Sequence, residues 1–454
     1  MEKFGLCAMN HAFARQLYFI TQAIRGEPAR TAYNELLRTE RESRENLEAL
    51  QFERLKKLLL FAYTNVPFYT SRFIACGFDP HGFSSVTDLK RIPVLTKKDI
   101  QDSKKALFPA RDRRKYTKSS SSGSTAIPVS ILRDNLSWSY HHAALYRFKK
   151  WYGLEIGDKY AMLWGIGPDI KSRIRTKARD LFYNRIKYSP YGLTHKRMDS
   201  FIKRIRGFRP RFLEAYPSSL YDFSLYLQEI SYPARRLNFE LIITSGETLL
   251  EHQKILAENI FGCRVVEHYG CSETGIIYCE CPDGGRHIPI ESCFVEIDGM
   301  NTDREGKIIV TDLHNYVMPM IRYEVGDIGK MTDEKCACGR NHPTMAQVKG
   351  RISDTIETVG GHKTNALFFY HVFQDLSPRG FAVRQYQVIQ NSPDRITLKI
   401  VKNEFFDEGC FKKLDQRIRA HFPENVEFDY DFVELIESDE SGKYTIFINE
   451  SKHS

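Results

Sequence analysis

Two Cys-x-Cys pairs, Cys279/Cys281 and Cys336/Cys338, lie about fifty residues apart, with His287 between them and His342 just beyond. Zinc favours four-coordinate Cys/His sites, and two ligand pairs joined by a long loop are a usual way to close one. Ten cysteines in 454 residues are too sparse for a disulfide scaffold, so these pairs read as metal ligands in a reducing compartment. A second kind of chemistry is written in Tyr116–Pro128, where Ser119–Ser122, Gly123, Ser124 and Thr125 follow one another. Such a loop offers hydroxyls and closely approaching backbone N–H groups to a polyphosphate. It is not the GxxxxGKS/T phosphate loop, since no lysine follows Gly123, and the same composition also suits a surface linker.

The elements that must hold these groups are legible from periodicity. From about Arg15 to Tyr63 apolar residues recur at helical spacing, and Pro67 is expected to end that region. A second helical pattern begins near Asp134. Short apolar runs then alternate with helical stretches: Tyr160–Trp164, Arg211–Tyr216, Glu240–Thr244 and Cys263–Tyr269, separated by segments such as Ser218–Ile230 and Leu250–Phe261. Alternation of this kind implies a largely parallel sheet covered by helices. Gly285–Met331 is strand-like. After Gly350, strand patterns at Tyr386–Gln390, Arg395–Val401 and Tyr444–Ile448 surround a helix at Glu408–His421, which makes a small α+β domain.

Composition narrows the function classes. The chain is 42% hydrophobic and 27% charged, an ordinary globular mix, and no apolar run approaches the ~18 residues of a membrane span. Met1–Phe13 lacks the pattern of a secretory signal, so a cytoplasmic protein is expected. The net charge of +9 concentrates in Arg111–Lys118 and Lys171–Lys187. No nucleic-acid-binding motif accompanies these runs, which read as solvated surface that also attracts anions.

Five further segments follow the Ser/Gly loop. They are Thr244-Ser-Gly-Glu247, His268-Tyr-Gly-Cys-Ser-Glu-Thr-Gly275, Arg322-Tyr-Glu-Val-Gly-Asp327, Gly350-Arg-Ile-Ser-Asp354 and Ser441-Gly-Lys443. In order and approximate spacing the six resemble the motifs of the adenylate-forming superfamily, and within it the phenylacetate–CoA ligases and the related CapK-type proteins.

The resemblance implies an α/β fold: a large adenylation domain over residues 1–350, with 1–115 as its helical N-terminal part, and a mobile lid over 351–454. It implies that Ser122, Gly123, Ser124 and Thr125 hold the β- and γ-phosphates of ATP. Gly246 and Glu247 would lie beside the adenine, with Tyr269 stacked on it. Ser272 would contact the α-phosphate, Glu273 would bind Mg²⁺, Asp327 the ribose hydroxyls, and Arg351 the ribose or phosphate. Lys443 would bridge the attacking carboxylate and the α-phosphate, where its charge acts as the phosphate gathers negative charge.

Trp164, Tyr216 and His268 would face the acid, compatibly with an aromatic one. The zinc ligands that the likeness favours are Cys281, His287, Cys336 and Cys338, a closed and therefore structural set; Cys279 is the substitute for Cys281, and His342 stays open. Ala126, Glu324-Val325 and the hinge pair Ser353–Asp354 depart from the family pattern without removing a group needed for adenylation. The implied reaction activates a carboxylic acid with ATP and transfers the acyl group to coenzyme A. An amine or hydroxyl acceptor, or a non-catalytic zinc-stabilised binding protein, are the alternatives.

Overall fold

The computed structural model describes residues 9–109, 114–120, 129–165, 179–189, 194–348, 350, 355–374, 376–377, 381–437 and 445–451. Two compact units divide the chain: Met1–Val325 with Gly329–Val348, and Gly326–Ile328 with Lys349–Ser454.

The first unit opens with helices His11–Ile24, Ala29–Arg38 and Arg44–Asn65. Asn10 and Ser43 cap the first and third, each accepting a backbone N–H of the opening turn. The third helix stops at Asn65, as the proline two residues on leads one to expect. Pro67 itself starts another helix, Pro67–Ala75, at a first-turn position where its missing N–H costs nothing. Leu55, Leu58, Leu59 and Ala62 join Tyr69 and Phe73 in one core cluster.

The strands of this part of the chain, in order, are β1 (Tyr116–Ser120), β2 (Ser130–Asp134), β3 (Tyr160–Leu163), β4 (Arg185–Tyr188), β5 (Phe212–Ala215), β6 (Leu241–Thr244), β7 (Arg264–Cys271), β8 (Gly275–Glu280), β9 (Arg286–His287), β10 (Cys293–Asp298), β11 (Gly306–Asp312), β12 (Tyr323–Gly329), β13 (Met331–Thr332) and β14 (Thr344–Met345). Nine of them form one sheet in the order β13-β14-β9-β8-β7-β6-β5-β3-β4. From β4 to β7 the pairing is parallel, and from β7 to β13 it is antiparallel. The parallel half was expected from the alternation of strand and helix patterns.

Strands β3 and β6 are buried at every position, as strands covered on both faces must be. On one face lie helices His195–Phe208, Pro217–Glu229 and Glu251–Phe261, whose Phe201, Leu220 and Ala257 cluster with Leu213, Ile242 and Val265. On the other lies helix Asn135–Trp151, whose Tyr140, Ala143, Ala144 and Phe148 cluster with Met162, Ile243 and Val266. Adjacent strand residues face opposite sides, so each apolar run supplies both layers. A smaller sheet has the order β10-β11-β12. No helix among the described residues is long and apolar enough to cross a membrane.

The second unit carries a hairpin, β15 (Thr355–Glu357) with β16 (Lys363–Asn365), and a four-stranded sheet. That sheet comprises β17 (Val383–Ser392), β18 (Arg395–Lys402), β19 (Glu427–Phe432) and β20 (Phe447–Asn449), in the order β19-β18-β17-β20. Helix Glu408–His421 has Asp407 as its N-cap and packs beside helix Leu367–Gln374.

Candidate active site and metal centre

The parallel strands β3, β5, β6 and β7 end in register, with Leu163, Ala215, Thr244 and Glu267 paired across them. The next residues along each strand are Trp164, Tyr216, Ser245 and His268. Open α/β sheets bind ligands beyond such carboxyl ends. Trp164 and Tyr216 stack at 4.2 Å between centroids. Gly246 has φ +87°, a conformation glycine adopts without strain. Beyond it, Glu247 Oε2 accepts the Ser218 backbone N–H at 3.0 Å, in the first turn of helix Pro217–Glu229. His268 lies 6.0 Å from the Phe148 ring. Burial pushes its imidazole down to about 4, against the opposing pull of Glu214. Glu214 itself pairs with Lys149 at 2.6 Å.

Strand β7 turns into β8 through Cys271–Gly275. A Cβ on Gly270 would stand 2.3 Å from the Gly275 carbonyl oxygen, so this turn closes only around glycine. Glu273 is 5% exposed; its Oε1 accepts Tyr323 Oη at 3.2 Å and its Oε2 accepts Ser272 Oγ at 3.3 Å. Two hydroxyls thus aim one carboxylate. Tyr269 packs 5.3 Å from Tyr278 at the margin of a core cluster. Arg133, buried on β2, lies over the Trp138 ring at 4.9 Å and 3.6 Å from Asp312.

The metal centre is more sharply defined. The ligand atoms of Cys281, His287, Cys336 and Cys338 all lie within 4.8 Å of one another. Cys281 Sγ is 3.5 Å from Cys336 Sγ, and Cys338 Sγ is 3.2 Å from His287 Nε2. Tetrahedral zinc with Zn–S near ~2.3 Å and Zn–N near ~2.0 Å gives ligand–ligand edges of ~3.5–3.8 Å. The donor set therefore fits zinc in type, number and spacing. Gly285 makes room for it, since a Cβ there would stand 2.5 Å from Cys336 Sγ.

Cys279 and His342 stand apart from this cluster. Cys279 is buried in the core cluster of helix Asn135–Trp151 instead. His342 is taken by Glu291, Nε2 to Oε1 at 3.0 Å, and contributes only its carbonyl oxygen, 3.3 Å from His287 Nδ1. A carbonyl beside the outer ring nitrogen fixes the tautomer that frees Nε2 for a metal.

That centre is tied to helix Asn135–Trp151 by two contacts that sequence reading missed. Arg147, 2% exposed, pairs with Glu291, 0% exposed, at 2.6 Å. Arg340, two residues past Cys338, lies over the Trp151 ring at 4.3 Å and hydrogen-bonds Glu40. A buried arginine in a helix of aromatic residues carries no motif; only the 144-residue separation closed by the fold reveals it.

Other expected site residues fall elsewhere. Asp327 lies on β12, in the Gly326–Ile328 segment that groups with the second unit, and is part-exposed. Arg322, the first residue of its motif, serves structure. It is buried at φ +52°, and its guanidinium bonds Glu296 at 3.0 Å and the Ile92 carbonyl. Ser122, Gly123, Ser124, Thr125, Arg351, Ser353, Asp354 and Lys443 lie outside the described residues; β1 and β2 flank the first four, ending with Ser120 opposite Ser130.

Comparison with known proteins finds relatives along most of the chain. Residues 356–450 match the CapK C-terminal domain. The chain is 27% identical to phenylacetate-coenzyme A ligase of Thermus thermophilus over 405 residues, 85% of this chain and 87% of that one. It is 24% identical to Protein CapK of Staphylococcus aureus over 439 residues, 92% and 93% of the two chains. Over most of its length the chain is thus similar to phenylacetate–CoA ligases and to Protein CapK.

The phenylacetate-coenzyme A ligases among these relatives are acid–CoA ligases by name. The fold agrees: 2-hydroxyisobutyryl-CoA ligase, solved in the postadenylation state with R3-HIB-AMP, superposes with a TM-score of 0.74 at 17% identity, covering 92% of each chain. The large α/β sheet and the small α+β domain expected from sequence are both features of this fold.

Proposed function

We propose that this chain activates a carboxylic acid, of an aromatic type, with Mg·ATP and passes the acyl group to coenzyme A. One observation carries the reading: residues from four separate segments, Trp164, Tyr216, Ser245–Glu247 and His268–Glu273, stand together at the carboxyl ends of the parallel strands.

In the first step a carboxylate oxygen attacks the α-phosphorus and pyrophosphate leaves, giving an acyl-adenylate. Ser122, Gly123, Ser124 and Thr125 hold the outgoing phosphates, and Gly246, Glu247 and Tyr269 receive the adenine. Ser272 contacts the α-phosphate, while Asp327 and Arg351 hold the ribose. Lys443 stabilises the charge that gathers between the two reactants. Trp164 and Tyr216 supply the flat apolar surface against which an aromatic acid lies. In the second step the coenzyme A thiol attacks the acyl carbon and AMP leaves. The lid hinges at Ser353–Asp354 and keeps water from the mixed anhydride.

Glu273 is the residue to hold Mg²⁺, a hard cation that offsets phosphate charge. Cys281, His287, Cys336 and Cys338 are the residues to hold zinc, which with four protein ligands supplies folding energy.

Acid-dependent exchange of labelled pyrophosphate into ATP tests the first step. Exchange is expected with aromatic acids; its absence with every carboxylic acid tried would refute the reading.

A further inference from the structure

The candidate acid site is walled by more imidazole than adenylation needs. Helix Asn135–Trp151 brings Trp138, His141 and His142 together, with ring centroids 5.1–5.2 Å apart. Across from them stand His268 on β7 and the Trp164–Tyr216 stack. His141 borders the turn that carries Glu273, because a Cβ on Gly275 would approach its Nδ1 to 3.1 Å. His268 stands farther along the helix, beside Phe148.

His141 and His268 share an uncommon state. In each, Nδ1 is buried with no hydrogen-bond partner, while the residue as a whole is only half-buried. Nε2 of neither ring is among the buried atoms without a partner. A buried N–H without an acceptor is rarer than a buried lone pair without a donor. The proton accordingly belongs on Nε2 in both rings, and each presents an N–H donor outward. Burial and the cations nearby, Arg133 for His141 and Lys149 for His268, push both imidazoles down, so they donate as neutral groups and do not act as counter-ions.

We infer that the acid taken by this site carries an acceptor oxygen on its acyl part, as a hydroxyl, ether or carbonyl, which receives Nε2–H of His268. His141, beside the Glu273 turn, addresses the carboxylate end of the same molecule. The substrate class is an oxygen-substituted carboxylic acid, in preference to one with a bare hydrocarbon tail. This deepens the adenylation reading and rests on it.

The test uses matched acids that differ by hydroxyl against methyl: 3- and 4-hydroxyphenylacetate against the methyl analogues, the corresponding benzoates, and short hydroxy acids against their methyl counterparts. Pyrophosphate release gives kcat/KM, and calorimetry without ATP gives the affinity of each acid. In at least one pair the oxygenated member is expected to win by about tenfold or more, the worth of one well-made hydrogen bond at a desolvated site. His268→Phe should bring that ratio to within about twofold, while His268→Gln, which keeps a donor, should retain a preference. His141→Phe should weaken both members of a pair alike. Melting temperatures identify any variant that fails to fold, and the wild-type ratio stands without them.

Methyl analogues favoured in every pair, or a ratio untouched by His268→Phe, would overturn the inference. Turnover without selectivity would sink it alone. Acid binding without any pyrophosphate release would sink the adenylation reading, and the affinity ratio would then decide the pocket. No binding of any acid would sink both.

Discussion

Arg147 and Glu291, 144 residues apart, form an ion pair at 2.6 Å that water does not reach. Burial alone would raise the Glu291 carboxyl, but Arg147 and His342 outweigh it and hold the group well below the usual carboxylate range. Glu291 also accepts Thr39 Oγ1 at 2.5 Å, and Arg147 donates to the Leu36 carbonyl at 3.0 Å. One buried pair therefore joins helix Ala29–Arg38, helix Asn135–Trp151 and, through His342, the His287 ring.

Removing one partner of this pair strands a charge. Arg147→Met is expected to cost about 3–5 kcal/mol in denaturant unfolding. Replacing both, Arg147→Met with Glu291→Leu, should recover part of that loss. A single variant as stable as the parent would show that the pair does not hold these helices.

The metal centre makes a residue-level prediction. The purified chain should hold one zinc, lost on Cys281→Ser, Cys336→Ser or Cys338→Ser and kept on Cys279→Ser. Its loss should lower the melting temperature by about 5 °C or more, because a closed site contributes folding energy. Zinc retained by Cys281→Ser and lost from Cys279→Ser would reverse the ligand assignment.

Much of this was legible in the sequence, for identifiable reasons. The parallel strands announced themselves as apolar runs between helical patterns, since strands buried on both faces carry few polar residues. The fold brings together Cys281, His287, Cys336 and Cys338, the four residues singled out in the sequence, where paired Cys-x-Cys spacing is a strong signal. Pro67 marked the end of one helix, but the helix it opens was not expected: proline does both with equal ease, and only the following residues decide. His141, Arg133 and Arg147 passed unnoticed. They sit inside a helix-and-strand pattern without spacing of their own, and their meaning lies in partners more than a hundred residues away, such as Asp312 and Glu291.

Acid should destabilise this protein from an unusually high pH. Burial pushes His142 and His314 down to about 3 and His268 to about 4, against ~6.5 in the unfolded chain. A histidine depressed in the folded state leaves the unfolded chain binding more protons. Stability is then full above about pH 6.5 and falls below it, by up to about 1.4 kcal/mol per pH unit for each such group, until the folded values are reached. Denaturant unfolding between pH 7.5 and 5 should show this decline well before carboxylates titrate. A flat profile over that range would contradict the neutral, buried assignment.

Lys443 is the residue on which the proposed chemistry depends most. Lys443→Ala should slow adenylate formation by on the order of 10²–10³-fold, as loss of a group aimed at transition-state charge does, with ATP binding little changed. An undiminished rate would remove Lys443 from the mechanism.

The most direct test of the central claim is AMP formation from Mg·ATP, followed with aromatic, hydroxy and aliphatic acids, each with and without coenzyme A. The account predicts turnover with one class of acid, strongly enhanced by coenzyme A, with a thioester as the product. AMP formation that ignores coenzyme A and rises instead with an amine or hydroxyl acceptor would contradict the proposed acceptor. No acid-dependent AMP under any condition would contradict the adenylating reaction itself.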